Sequence, residues 1–182
     1  MASSKEEMNE QLDELAIQLL LLCQTLVDTK LHLEKVTKEG FIGLAQTRKI
    51  SGPNAVSILQ VPAEDDFEAN KRVTLSQCVR QEIGVKFNYL SLEVNAPKVE
   101  SLDSQLINRK KKSEEEDSKV VLKKDPIRWF GFLVPNSLRE SQKQFSKAIE
   151  LSIEAANVQN EIRGVLGRRQ VLLRQLKKLE SQ

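Results

Sequence analysis

The chain has 182 residues with 28 Lys and Arg against 26 Asp and Glu, so at a formal net charge of +2 it has no uniform field for a polyanion. Aromatic residues make up 4%, with 7 glycines and 5 prolines, a poor stock for a sandwich, a barrel or a Gly-looped nucleotide fold and an ample one for long helices. Two isolated cysteines, Cys23 and Cys78, and the single His32 exclude a disulfide framework and leave zinc and acid/base sites short of parts, which points to a reducing compartment and no cofactor.

Lys5 stands among Glu6, Glu7 and Glu10, the wrong sign for a secretory or transit leader. The most apolar run, Ala16 to Cys23, includes Gln18 and falls far short of the roughly 20 residues that span a bilayer. Any membrane contact is therefore expected to go through a partner or a surface. From Lys5 to Ile50 a seam of Met8, Leu12, Leu15, Leu19, Leu22, Leu26, Thr29, Leu33 and Val36 advances in steps of four and three, which predicts a helix packed lengthwise on another helix. The seam reads as broken once before Gly40. A second stripe, Ile17, Leu20, Leu21, Val27 and Leu31, widens the apolar face and predicts more than one neighbour. Cys23, inside the apolar run, is expected to be a core thiol, and His32 a solvated imidazole.

Gly52-Pro53-Asn54 ends this helix, after which Val56 to Val61 and Val85 to Val94 read as short strands forming a small element at the head of a hairpin. From 95 to 124 the chain turns polar. Arg109 to Lys112 is followed at once by Glu114 to Asp117, and the two blocks cancel within a Debye length of roughly 8 to 10 Å, the signature of a disordered linker.

The segment from Asp125 to Pro135 holds the only Trp and two of the five Pro, and composition alone does not explain it. Trp129, Phe130, Gly131, Phe132, Leu133 and Pro135 are the candidate partner-binding residues: either the aromatics plug the open end of the hairpin or they anchor a partner, and both roles stay open. Pro135 and Ser137, with Glu140 three residues on, predict a capped helix start. Ala148, Leu151, Ala155, Val158, Ile162, Val165, Arg169, Leu172, Leu176 and Leu179 then repeat the seam spacing to about residue 180.

The two helices, each roughly 65 to 70 Å long, carry opposite charge at opposite ends: acids open the first, while Arg168, Arg169, Arg174, Lys177 and Lys178 close the second. Antiparallel pairing sets acid beside base and puts each cluster at the favourable end of its helix dipole. Those five cations are also candidates for a basic surface facing an acidic partner or lipid. Gly164 and Gly167, before Arg168, have the spacing of a nucleic-acid-clamping GxxG loop, but they stand in a heptad helix, where they are expected to relieve crowding opposite Leu19 to Leu22. No HExxH, Walker loop, GxGxxG or GxSxG occurs, so neither an enzyme nor a nucleic-acid binder is predicted.

The expected fold is mainly α: a long antiparallel two-helix coiled-coil hairpin with a small β element and a disordered linker in its central insert. It divides into a coiled-coil helix at 5–50, a β-containing head at 51–94, a linker at 95–124, an aromatic segment at 125–136 and a second coiled-coil helix at 137–180. One seam buried along such a hairpin gives little stability without a partner, which leaves the oligomeric state open.

Asp125-Pro126, Trp129-Phe130-Gly131, Leu133-Val134-Pro135 and Ser137-Leu138-Arg139, continued by Phe145, Gln159-Asn160, Leu176-Lys177 and Leu179-Glu180, resemble the coiled-coil domain-containing protein 115 family. In the first helix Leu12-Asp13, Leu15, Gln18 to Leu20, Glu39-Gly40 and Leu44-Ala45 are similar too, whereas residues 51–124 offer no likeness. The resemblance implies a non-enzymatic assembly factor for the vacuolar H+-ATPase on the cytosolic face of the endoplasmic reticulum, early secretory vesicles and, further on, endosomes and lysosomes. It implies a two-helix transmembrane assembly partner and ATPase membrane-sector subunits as partners, and a part in endosomal and lysosomal acidification. The residues by themselves also suit a general coiled-coil scaffold or a prefoldin-like holdase.

Overall fold

The structure, a computed structural model, describes residues 2–54, 56–61, 69–80, 84–94 and 125–180. Helix α1 (Ala2–Ser51) and helix α2 (Asn136–Glu180) are its two long elements. Between them lie a 3-10 turn (Ile58–Gln60), strands β1 (Lys71–Arg80) and β2 (Val85–Val94), and a second 3-10 turn (Pro126–Phe130). The stretch read as a linker, 95–124, lies outside the described residues.

The seam of α1 is where the leucine spacing puts it. Leu15, Thr29 and Val36 are buried, and Met8, Leu12, Leu19, Leu22, Leu26 and Leu33 are half-buried. The seam is not broken at residue 40. Gly40, Gly43 and Thr47 carry the same spacing onward and all are buried, with small residues replacing leucines so that the helices approach closely. A methyl carbon at Gly40 would come within 2.9 Å of the Phe145 ring, and one at Gly43 would overlap Ser141 Oγ and come within 3.1 Å of the Ser137 carbonyl. Cross-helix contacts run in opposite directions: Leu15 packs with Val165 and Leu172, Val36 with Ala148 and Leu151, and Thr47 meets Ser137. The helices are therefore antiparallel. The acidic start of α1 and the basic end of α2 share one end, and the aromatic segment lies at the other.

Further readings of the sequence need correction. Cys23 is exposed, because the contact with α2 takes only one face of the apolar run and Cys23 falls outside it. The second stripe meets no neighbour among the described residues, and all five of its members are exposed. The start of α2 is not capped by Ser137 and Glu140. Instead the Ser137 hydroxyl turns across to Thr47 Oγ1 (2.7 Å), whose own proton goes to the Gly43 carbonyl (2.9 Å), and Glu140 takes Lys143 at 2.9 Å. The N–H groups of Leu138 and Arg139 donate to the Pro135 carbonyl at 3.1 and 3.3 Å. Finally, Val56 to Val61 is not a strand: Ser57 and Gln60 close a capping box around a single 3-10 turn, with Leu59 N–H donating to Ser57 Oγ and Ser57 N–H donating to Gln60 Oε1.

The strand partner of Val85–Val94 is Lys71–Arg80, antiparallel, with Leu75 opposite Leu90 and Arg80 opposite Val85. Gly84, immediately before β2, has φ +63°, which suits glycine. This ribbon does not sit at the head of the hairpin but lies along the flank of α2. Its start at Val85 reaches the main core beside Leu15, Val165 and Leu172.

Candidate docking site

The ribbon and the aromatic segment are both held by α2, and the first is held through backbone. Because β2 pairs with β1 on one side only, the N–H and C=O of Leu90 and the C=O of Asn88 point outward along its second edge, where unpaired they would invite another strand. Asn157 satisfies Leu90 twice: Leu90 N–H donates to Asn157 Oδ1 (2.7 Å) and Asn157 Nδ2 donates to the Leu90 carbonyl (2.9 Å). One turn on, Asn160 Nδ2 donates to the Asn88 carbonyl at 3.0 Å. Lys71 Nζ donates to the Ser146 carbonyl (3.0 Å) and pairs with Glu150, and Arg80 pairs with Glu161, so each end of β1 is also tied to α2.

Gly164 is the place of closest approach. An added methyl carbon there would come within 2.5 Å of Val85 Cγ1 and 3.3 Å of the Lys86 carbonyl. Its role is thus to admit β2, not to relieve crowding against Leu19 to Leu22, and at Gly167 nothing lies within 4 Å.

The aromatic segment is tethered at both ends, and Phe132 and Leu133 project from it between the tethers. Asp125 Oδ1 accepts from Ile127 N–H (3.1 Å), capping the 3-10 turn, and from Gln142 Nε2 (2.8 Å), binding that turn to α2. At the far end the Pro135 carbonyl is engaged by the first turn of α2. Between them Gly131 adopts φ +118° and ψ 173°, a region open to glycine and little else, and reverses the chain. Trp129 and Phe130, before the reversal, are half-buried. After it, Phe132 is 101% exposed and Leu133 91%, so these two plug nothing, while Val134 and Pro135 return to the body half-buried.

Beside this projecting pair lies an open groove of about 540 Å³, lined by Leu44, Val56, Ile127, Phe130, Phe145 and Ile149 among others. Phe145 is fixed there by an edge-to-face contact with Phe41, centroids 5.2 Å apart and planes at 79°. Ile50, in the last turn of α1, and Ile58 and Leu59, on the 3-10 turn that follows, are 72%, 85% and 90% exposed and add apolar surface. An apolar groove flanked by a tethered, solvent-facing Phe-Leu pair can receive a partner's apolar side chains and offer two of its own. The basic candidates Arg168, Arg169, Arg174, Lys177 and Lys178 are all exposed, yet they stand at least 32 residues along α2 from its start, roughly 48 Å or more away at 1.5 Å per residue. They form no part of this groove.

Comparison with known proteins places the chain. The model of the Vma22/CCDC115 family matches residues 13–148, which includes most of α1, the ribbon, the central stretch and the first turns of α2. The chain belongs to the Vma22/CCDC115 family. Relatives named Vacuolar ATPase assembly protein VMA22 are similar over nearly their whole length. The Homo sapiens protein is 32% identical over 178 residues, 96% of each chain, and that of Bos taurus 29% over 97% of each. The Danio rerio protein is 27% identical over 85% of this chain and 84% of its own. No helix among the described residues of this family member is long and apolar enough to cross a membrane.

Sequence reasoning found the aromatic segment but not Asn157, Asn160 or Gly164 as the residues that hold the ribbon. Polar side chains and a glycine inside a helix give no sign in sequence that a strand edge lies against them.

Proposed function

We propose that this chain is an assembly factor for the vacuolar H+-ATPase that works by presenting a binding surface and not by catalytic turnover. The observation that carries the reading is the Phe132–Leu133 pair, held out by Gly131 beside the groove, in a chain whose relatives are named for vacuolar ATPase assembly. Burying both side chains in a partner is worth roughly 1.5–3 kcal/mol each, enough to make this the principal anchor. The partners in this reading are a two-helix transmembrane assembly protein and subunits of the ATPase membrane sector. They would be met on the cytosolic face of the endoplasmic reticulum and early secretory vesicles, with acidification of endosomes and lysosomes as the downstream result. The two helices act as an antiparallel coiled-coil arm.

The exposure of Ile58 and Leu59 supports a second reading, a prefoldin-like holdase or general scaffold that binds unfolded chains through apolar turns. Affinity purification of the tagged full chain from gently solubilised cells separates the two. Recovery of membrane-sector subunits with a small two-span membrane protein is the expected result, and a broad set of unfolded clients, or the chain alone, would overturn the first reading in favour of the second.

A further inference from the structure

The face of α1 turned away from α2 carries Ile17, Leu20, Leu21, Val27 and Leu31, each between 51% and 71% exposed. They fall within roughly 120° of the helix circumference, a face roughly 21 Å long at 1.5 Å per residue and about half a turn round the helix from the seam. A stripe of this kind on a helix already packed on its other side is a helix-docking face. Its two ends carry opposite charge. Glu10, Asp13 and Glu14 continue the stripe towards the N-terminus, and Lys35 and Lys38 continue it towards the C-terminus, with Glu34 interposed; all are exposed. At mid-stripe Gln24 Nε2 is held by both oxygens of Asp28, at 3.0 and 3.1 Å.

We propose that this stripe is the isologous interface of an antiparallel dimer of two copies of the chain, with the two-fold axis crossing α1 near Thr25. In that register Leu20 meets Leu31 of the second copy, Gln24 meets Val27, Ile17 meets Glu34 and Asp13 meets Lys38, with Glu14 and Lys35 in reach of each other beside that last pair. A parallel pairing would bring acid onto acid and base onto base. The opposite charges at the two ends of the stripe, which a two-fold rotation sets against each other, are what select a second copy as the occupant. Its extent falls short of a standard interface, so the association is of moderate strength and shows in the micromolar range. The stripe shares no residue with the groove, and the inference stands apart from the functional reading above.

Sedimentation equilibrium of the purified full chain tests it. The mass is expected to rise with concentration from 20.7 kDa to twice that value. Leu20→Glu is expected to weaken self-association by roughly thirtyfold or more with helical content unchanged, since Leu20 lies outside the α1–α2 contact. Lys35→Glu/Lys38→Glu weakens it too, and adding Asp13→Lys/Glu14→Lys to that chain restores it, a recovery that damage to the fold would not give. Orientation is read in a Cys23→Ser/Cys78→Ser background: a short bismaleimide is expected to join Leu20→Cys copies to Leu31→Cys copies and not Leu20→Cys copies to one another. A chain monomeric at all concentrations, a dimer indifferent to Leu20→Glu, failure of the double reversal to restore it, or cross-links between two copies of position 20 would each overturn the proposal.

Discussion

Two glycines on the long helices should respond to the same substitution with opposite sign. At Gly167 nothing lies within 4 Å of an added methyl, so Gly167→Ala is expected to stabilise the protein by about 1 kcal/mol through helix propensity alone. At Gly43 the same gain meets a buried contact, because the new carbon overlaps Ser141 Oγ, on a residue only 1% exposed. If Ser141 rotates, its hydroxyl gives up the Ser137 carbonyl (2.8 Å), and an unsatisfied buried hydroxyl costs about 1–3 kcal/mol. If it stays, the helices must part, and overpacking costs about 1–3 kcal/mol. Either way Gly43→Ala should be destabilising by roughly 0–2 kcal/mol net, and the two variants should differ in melting temperature by several degrees at roughly 2–4 °C per kcal/mol. Ser141→Ala in the Gly43→Ala background removes the overlapping oxygen and should recover most of the loss, giving a non-additive double-mutant cycle. Thermal melts followed by circular dichroism measure wild type, Gly167→Ala, Gly43→Ala, Ser141→Ala and the double variant. Gly43→Ala matching or exceeding Gly167→Ala in stability would refute the close helix contact at residues 40–47.

Other expectations concern the ribbon, the reversal and the thiol. Asn157→Leu strands both backbone groups of Leu90 and should destabilise by about 1–3 kcal/mol, with faster amide exchange across β2 and unchanged protection along the α1–α2 seam; uniform loss of protection would argue against a separately held ribbon. Gly131→Ala forces a side chain into φ +118° and should lower stability by about 1–3 kcal/mol, seen as an earlier denaturant midpoint, whereas a neutral result would mean the chain does not reverse there. Cys23, exposed on α1, should react fully with a thiol reagent in the native protein, and Cys78, half-buried on β1, more slowly; a Cys23 that needs denaturant to react would place it in the core after all.

The helices were legible because a four-three spacing of leucines leaves few alternatives, and the charge at their ends pointed to their antiparallel sense. Their close contact at residues 40–47 was not, since a seam that passes from leucine to Gly40, Gly43 and Thr47 loses its hydrophobic signal where packing is tightest. Strand β1 escaped notice because its alternation is short: Val73, Leu75 and Val79 share one face, but Lys71 and Gln77 interrupt it and most of the strand is exposed. Val56 to Val61 misled in the opposite direction: its spaced apolar residues imitate a strand, while Ser57 and Gln60 were the informative pair. Cys23 misled because a run of leucines suggests burial, although helical geometry divides that run between two faces. The Trp-Phe-Gly-Phe segment announced itself by composition, but which side chains project depended on the dihedral angles of Gly131, which composition does not specify.

The central claim is that Phe132 and Leu133 anchor a vacuolar-ATPase assembly partner. Because both are over nine-tenths exposed, Phe132→Ser/Leu133→Ser should change stability by no more than about 0.5 kcal/mol, so the variant isolates binding from folding. Co-purification of ATPase membrane-sector subunits should be quantified with wild type and the double variant expressed at equal level, each checked for native helical content. The account predicts a loss of partner recovery equivalent to about a hundredfold or more in affinity, in line with burial of roughly 3–6 kcal/mol of apolar surface. Undiminished recovery by the folded double variant would contradict it.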